Sequence, residues 1–478
     1  MDSMGLSRWL VDVCVAMKIS EPFEIQSKCI PWILGGGNLL GCAPTGQGKT
    51  AAYVLPLLDK FALDPSPWFG VVLAPTRELA TQVCERICLF GERCGARCVC
   101  AIGGEDLQRQ KSVLAESCHI LVGTPGRVAQ LAEDPDLRRR LKRVRIFCLD
   151  ECDQLFEPGL KPDVLKITAA ISSPKTQILC FSATIKNHAD DIHKLLSAGS
   201  GSSGTGTNAD ADTNADASTN ADASTNADAG TNAYAGTNAD AGIDDSGGTY
   251  KKVDLTCGLT ALKHRKITCE GVAVYHFLHY LLTDVSNDLF CTERGIVFAH
   301  TIEECEILQR TLTSLGVSCT LLHSRLPRRQ RNRNYDAFKG DHTRVLVCTD
   351  LCARGLDLPH VDWVVNTTVP LKFEEYVHRA GRCARAGRPG VALTFVKQVL
   401  FRQIELDTNL NRIKYINQQL AEQDGVERSV VLEYDFDHAK GMMYPSKINK
   451  AIAEAKLSLE DDPIMEKIRK RSSSGRPY

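Results

Sequence analysis

The stretch "NLLGCAPTGQGKTAAYVLP", Asn38 to Pro56, decides how the chain is read. A short apolar run, "NLLG", leads into a turn carrying Gly46, Gly48, Lys49 and Thr50, and "AAYVLPLLDKF" continues with helical character. Glycines at such a strand-to-helix turn let backbone N–H groups wrap phosphate oxygens. A lysine neutralises the outer phosphates, and a hydroxyl can reach Mg²⁺. The strict phosphate-loop pattern asks for glycine where this chain has Ala43. A plain flexible turn would not require Gly-x-Gly-Lys-Thr between these two elements.

About a hundred residues further on, "RIFCLDECDQLF" (Arg145–Phe156) ends an apolar run in three acids, Asp150, Glu151 and Asp153. Like charges this close repel unless a cation or a basic partner shares the site. A phosphate-bound Mg²⁺ resolves the conflict: Asp150 is expected to hold the metal and Glu151 to orient or deprotonate the attacking water.

The surroundings fit that chemistry. "WFGVVLAPT", "HILVGTP", "RIFCLDE" and "TQILCFSAT" read as buried strands, as do "RGIVFAHT", "TRVLVCTD" and "VDWVVNT" later in the chain. Helical patterns such as "TRELATQVCERICLFGERC" and "TIEECEILQRTLTSLG" alternate with them. This alternation predicts parallel sheets covered on both faces, in two α/β domains joined near residues 257–262. The expected limits are 1–257, 258–425 and a polar C-terminal stretch, 426–478, that ends in "KIRKRSSSGRPY".

An insert at 199–249 interrupts the end of the first domain. From Thr207 to Gly242 it repeats a hexad, "TNADAD TNADAS TNADAS TNADAG TNAYAG TNADAG", whose only apolar side chains are Ala and Tyr234. It has too little apolar surface to offset its ordering entropy, so it is expected to be disordered. A stacked hexapeptide β-helix would need larger apolar residues to fill its coil.

The 478 residues carry a net charge of −1, but the insert hides a basic body. It contains eight Asp and no Lys, Arg or Glu, so the rest of the chain stands at +7. No apolar run reaches the roughly 20 residues of a membrane span. The start of the chain, with Asp2 and Asp12, lacks a secretory pattern. The 20 cysteines are scattered and none has Cys-x-x-Cys spacing, so they read as small core residues in a reducing compartment rather than zinc ligands.

Motif by motif, nearly the whole chain outside the insert resembles the DEAD-box RNA helicases. "APTGQGKT", covering Ala43, Pro44, Thr45, Gly46, Gln47, Gly48, Lys49 and Thr50, has the phosphate loop in that family's own form. "DECD" (Asp150–Asp153) resembles its metal and base motif, with Cys152 in place of alanine. The resemblance implies two RecA-like domains and the cofactors ATP and Mg²⁺, the metal lying at Thr50 and Asp150. It also implies that Gln26 in "EPFEIQ" reads adenine and that Asp357 holds the ribose. Arg382 and Arg385 in "YVHRAGRCARAGR" would be fingers reaching the γ-phosphate.

RNA contacts are implied at "PTR" (Pro75, Thr76, Arg77), the doublet Gly103–Gly104, "TPGR" (Thr124, Pro125, Gly126, Arg127), Arg331 and Thr349. "SAT" (Ser182, Ala183, Thr184), with Asp153 and His378, would couple hydrolysis to strand separation. Such contacts grip phosphate and sugar without reading bases.

Several positions depart from the family pattern. Met1 fills the slot of the usual adenine-stacking aromatic, Arg328 replaces a glutamine, and Ala380 and Cys383 are uncommon choices. None removes a charge the chemistry needs.

"MGLSRWLVDVC" and "FDHAKGMMYPSKINKA" are similar to the nucleolar branch that acts in small-subunit pre-rRNA maturation. The expected partners are single-stranded or short duplex RNA and pre-ribosomal or stimulating proteins, acting on a monomer, with no membrane. The expected location is the nucleus, chiefly the nucleolus, with the cytoplasm also open; "KIRKR" reads equally as nuclear address or RNA-grazing charge. An mRNA-export and splicing branch, a non-hydrolysing ATP-gated RNA clamp and a DNA-directed motor are the alternatives. A GTPase is unsupported, for there is no Asn-Lys-x-Asp motif.

Overall fold

The computed structural model describes residues 4–19, 21–44, 46–171, 173–184, 188–198, 241–243, 249–255, 262–284, 288–340, 342–350, 358, 361–383, 390–398, 403–424, 430–460, 462 and 465. The eight strands of the first sheet are β1 (Leu39–Cys42), β2 (Gly70–Leu73), β3 (Cys98–Ala101), β4 (Ile120–Gly123), β5 (Ile146–Asp150), β6 (Gln177–Ser182), β7 (Ala241–Ile243) and β8 (Thr249–Asp254). Their spatial order is β3-β4-β2-β5-β6-β1-β8-β7. Every pairing is parallel except β7 with β8.

Strands β1, β2, β4, β5 and β6 are buried along their whole length, which is why they read as unbroken apolar runs instead of alternating ones. Successive residues still serve opposite faces: Ile146 and Cys148 pack into one core, Phe147 and Leu149 into the other. The register brings the strand ends level. Asp150 pairs with Phe181 and Cys42 with Ser182, while Leu73 and Ala101 both pair with Gly123.

The second sheet comprises β9 (Leu262–Glu270), β10 (Gly295–Phe298), β11 (Cys319–Leu322), β12 (Val345–Cys348), β13 (Trp363–Asn366), β14 (Gly390–Gln398) and β15 (Leu432–Glu433). The order is β11-β12-β10-β13-β14-β9-β15, with all pairs parallel and a core on each face. Two covered parallel sheets are the architecture the sequence predicts.

Two segments depart from the expected plan. Ala241 and Gly242, the end of the last hexad, continue through Ile243 as β7 and pair with β8, so this end of the insert is ordered. Residues 199–240, where disorder is expected, lie outside the described residues. The C-terminal stretch from 430 to 460 is built onto the second unit: β15 extends its sheet, and the helix Pro445–Ser458 buries Ile448 and Ile452 against Ile307. The final "KIRKRSSSGRPY" and the expected 257–262 junction, apart from Leu262, lie outside the described residues. No helix among the described residues is long and apolar enough to cross a membrane.

Candidate functional site

Apart from Gln26, which sits on the helix Glu24–Leu34, the motifs the sequence singles out in the first unit lie where its strands end. β1 runs into the loop before Lys49, β5 ends at Asp150, and β6 ends at Ser182; these three are neighbours in the sheet. β2, β4 and β3, also neighbours, run into Pro75–Arg77, Thr124–Arg127 and Gly103–Gly104. One sheet edge therefore carries a phosphate-loop half and a second half of motifs suited to a nucleic-acid backbone. Ligands of open parallel sheets characteristically bind at this carboxyl edge.

The phosphate loop depends on glycine. Gly46 and Gly48 have φ of 84° and 81°, the left-handed region, and the helix Lys49–Leu63 starts immediately after. A Cβ on Gly48 would lie 2.3 Å from Gln26 Nε2 and 2.7 Å from Phe23 Cδ2. Lys49 is buried and its Nζ donates to the Ala43 carbonyl at 2.6 Å. Ala43 N–H in turn donates to the Ser182 carbonyl at 3.2 Å, tying the loop to β6. Gln47 N–H donates to Pro44 O at 3.4 Å. Thr45 lies outside the described residues.

Gln26 is buried beneath this loop. Its Nε2 donates to the Gly48 carbonyl at 3.1 Å and its Oε1 accepts from Phe23 N–H at 3.1 Å. An amide has two hydrogens and two lone pairs, so half its capacity remains for a base edge.

Beside it opens a cleft of about 390 Å³ whose walls include Met17, Ile19 and Phe23, then Thr50, Glu151 and Arg382. Gly46, Gly48, Lys49 and Asp150 line it too. Met17, Ile19 and Phe23 are the apolar wall beside Gln26 that the sequence reading missed by looking to the slot at Met1, which lies outside the described residues.

The acids are held unequally. Asp150 Oδ2 accepts from Tyr53 Oη at 2.8 Å, and Oδ1 accepts from Glu151 N–H at 3.0 Å. Burial, then the Glu151 charge, push the Asp150 carboxyl up to about 6, against the pull of Tyr53 and Lys49. Glu151 has φ 51° and ψ 54°, a left-handed backbone uncommon for a non-glycine residue and a form of strain found at functional sites. Its Oε2 accepts from Gln154 Nε2 at 2.5 Å.

Asp153 faces the other unit. Burial raises its carboxyl, but the adjacent His378 imidazole, with Lys49 and Ser182, outweighs that and holds it below the ordinary range. Its Oδ2 lies 3.3 Å from His378 Nε2 and accepts from Thr184 Oγ1 at 3.1 Å. Thr184 N–H donates to Ser182 Oγ at 3.1 Å, and the Ser182 hydroxyl donates back to the Thr184 carbonyl. Ala183 is fully buried between them.

A buried carboxyl raised beside a second acid, with the Thr50 hydroxyl lining the same cleft, is a donor set of hard oxygens that suits Mg²⁺. Arg382, from the second unit, lines that cleft opposite the phosphate loop. Arg385 and Asp357 lie outside the described residues. Ala380 and Cys383 are core: the Cys383 thiol donates to the Ala380 carbonyl at 3.1 Å.

In the other half, Thr76 Oγ1 accepts from Leu79 N–H at 3.2 Å and starts the helix Arg77–Gly91. The Arg77 guanidinium packs on the Gly103–Gly104 turn, where a Cβ would lie 3.1 Å and 2.7 Å from its nitrogens. Thr124 precedes a short helix that opens with Pro125 and Gly126. Arg127 donates to Gln110 Oε1 at 3.1 Å and to the Glu105 carbonyl at 3.0 Å, so it braces the same turn. Arg331 reaches across from the second unit to Glu78, 2.9 Å away. Thr349 is buried at the end of β12, its N–H donating to Leu322 O at 3.3 Å.

Two RecA-like sheets with a glycine-rich phosphate loop and a buried acid pair facing an arginine of the other sheet define the phosphate-loop NTPase class. Residues 23–192 match the family description "DEAD/DEAH box helicase", and residues 277–387 match "Helicase conserved C-terminal domain". The chain is 33% identical over 469 residues to the DEAD-box ATP-dependent RNA helicase 36 of Oryza sativa subsp. japonica, spanning 98% of this chain and 81% of that protein. It is 34% identical over 415 residues to the ATP-dependent RNA helicase DBP8 of Kluyveromyces lactis, spanning 86% and 85%. Its fold is similar to that of S. cerevisiae Dbp5 bound to RNA and ADP BeF3, with TM-score 0.66, 22% identity, 95% of this chain and 99% of that one covered. The chain belongs to the DEAD-box helicase family.

Proposed function

We propose that the protein is an RNA-stimulated ATPase that uses closure of its two units to separate short RNA duplexes or remodel RNA–protein particles. The observation that carries this reading is the composite cleft. Arg382 of the second unit lines the same cavity as the phosphate loop, Asp150 and Glu151, and His378 meets Asp153 alongside. Neither unit alone holds all the charges that hydrolysis needs.

In this reading the loop amides and Lys49 cradle the phosphates, and Gln26 with its apolar wall takes adenine. Thr50 and Asp150 would hold Mg²⁺, which when bound supplies positive charge to the phosphate oxygens. Glu151 accepts a proton from the attacking water, while Arg382, with Arg385 beside it in sequence, stabilises charge developing on the γ-phosphate. Asp357 takes the ribose. RNA lies along Pro75–Arg77, Gly103–Gly104 and Thr124–Arg127, with Arg331 and Thr349 completing the grip from the second unit.

Similarity to proteins named DBP8 over most of the chain, together with the likeness of its two ends to the nucleolar branch, supports a role in small-subunit rRNA maturation. A nucleolar location, with pre-ribosomal proteins or a stimulating protein as partners, goes with that role.

Steady-state ATP hydrolysis with single-stranded RNA, matched DNA and neither tests the reading. Stimulation by RNA alone is the expected result; equal stimulation by DNA rejects RNA coupling. Glu151→Gln should retain ATP and RNA binding and lose turnover. Wild-type turnover in that variant would remove Glu151 as the base.

A further inference from the structure

The helix Arg77–Gly91 and strand β3 lie against each other and hold four thiols between them. Cys84 and Cys88 are four apart on the helix and share a face; Cys98 and Cys100 are two apart on the strand and share a face. The sulfurs of Cys84, Cys88 and Cys98 all lie within 4.8 Å of one another, and Cys100 follows Cys98 two residues along the same strand face. This is the edge of the first sheet, and the four thiols are not sealed in: Cys88 is exposed and the other three are half-buried. Cys148, Cys152 and Cys180, by contrast, are fully buried in the interior.

We infer that Cys84, Cys88, Cys98 and Cys100 form a structural site for one zinc ion. Tetrahedral Zn–S bonds of about 2.3 Å place sulfurs about 3.8 Å apart, so the three mutually close sulfurs need move together by no more than about 1 Å. Four thiolates are a soft, closed set that selects Zn²⁺ over the hard Mg²⁺ of the ATP cleft. Zinc-ligand spacing in sequence normally arises from a turn that supplies two cysteines. Here one pair comes from a helix and the other from a strand, so no Cys-x-x-Cys spacing is required.

The site has a structural consequence. The helix begins at the Pro75–Arg77 motif, and β3 runs into Gly103–Gly104, on which Arg77 packs. The cysteines join the same two elements, Cys84 and Cys88 from the middle and later part of the helix and Cys98 and Cys100 from the strand. A metal there fixes the spacing of the two elements that present the first unit's phosphate-gripping row.

The test uses the full chain, expressed with zinc and purified in reductant without chelator, then dialysed against EDTA and analysed for metal. One zinc per chain is expected. Cys84→Ser and Cys98→Ser should each lose about nine-tenths of it, while Cys94→Ser, outside the set, keeps it. Co²⁺ added to metal-stripped wild-type protein should give thiolate-to-cobalt charge-transfer absorption saturating at one equivalent, a readout independent of whether any variant folds. Absence of both zinc and the Co²⁺ absorption in the fully reduced wild type overturns the site. So does zinc retained by both the Cys84 and Cys98 variants, or a disulfide among the four in reduced protein.

Discussion

Tyr53→Phe removes one oxygen and asks whether the buried acid pair is tuned as the structure implies. Tyr53 Oη donates to Asp150 Oδ2 at 2.8 Å from a fully buried position, and with Glu151 N–H it favours the ionised carboxyl. A hydrogen bond to a charged group is worth about 1.5–3 kcal/mol net. At 1.36 kcal/mol per pKa unit, its loss raises the Asp150 carboxyl from about 6 by roughly one to two units, to about 7–8. Mg·ATP binding requires the carboxylate, which is the dominant form only above that value. At pH 7 the wild type is then about nine-tenths ionised, and the variant between about half and one-tenth.

The expected result is a KM for Mg·ATP raised about two- to tenfold at pH 7, recovering by about pH 9. The acid limb of the kcat/KM profile, which reports free enzyme, should move up by the same one to two units. Folding stability of the ligand-free protein runs the other way. A carboxyl raised in the folded state destabilises most when ionised, above about 6, and that penalty fades as pH falls from about 6 toward the ordinary value. An unmoved acid limb with an unchanged KM would refute the assignment of Asp150 as the tuned ligand.

Gly48→Ala forces a left-handed residue at a cost of about 1–2 kcal/mol and drives a methyl group into Gln26 and Phe23; loss of ATP binding with RNA binding retained is expected by fluorescence titration, and wild-type ATP affinity would contradict it. His378→Ala leaves the buried Asp153 carboxylate without its partner across the cleft. Breaking such a pair costs about 3–5 kcal/mol, so small-angle scattering of the ligand-free variant should show a larger radius of gyration, and an unchanged profile would contradict the contact. Asp153 is depressed, so its stabilising contribution is present above the ordinary carboxylate range and lost as pH falls through its lowered value; the same opening is expected in acid. Deleting residues 207–236, five hexads without a core-forming side chain, should leave kcat and melting temperature unchanged, whereas a loss beyond twofold would show that the repeat reaches the enzyme.

What was legible in the sequence is what burial and phosphate chemistry dictate locally. β1, β2, β5 and β6 are buried on both faces, so each is an unmistakable apolar run, and the glycines at 46 and 48 advertise a backbone no other residue tolerates well. What was not legible depends on pairings between distant elements. β15 has only Leu432 and Glu433, both exposed, and is a strand solely because β9 offers an edge. Tyr53 sits in an apolar helix face and reads as core until Asp150 arrives from 97 residues away. Phe23, three residues before Gln26, lines the cleft although an aromatic was sought much further upstream. The four thiols fall within seventeen residues, but they divide between a helix and a strand, so their meeting depends on how those two elements pack and not on their spacing.

The contacts between the units give the proposed coupling its physical basis. Beside the ATP half of the sheet edge, His378 meets Asp153 and Lys372 meets Glu157 at 3.0 Å; beside the RNA half, Arg331 meets Glu78 at 2.9 Å. One displacement of the second unit therefore alters both halves together, so RNA that favours closure must tighten ATP, and ATP must tighten RNA by the same factor. The two ends of this lever are unequal. His378 and Asp153 are buried and costly to part, whereas Arg331 and Glu78 keep 22% and 27% of their side-chain surface in solvent. A pair that exposed is worth about 1 kcal/mol at most. In the proposed reading, an RNA phosphate would displace Glu78 from Arg331 at little cost, while the buried contact on the ATP side holds the units in register.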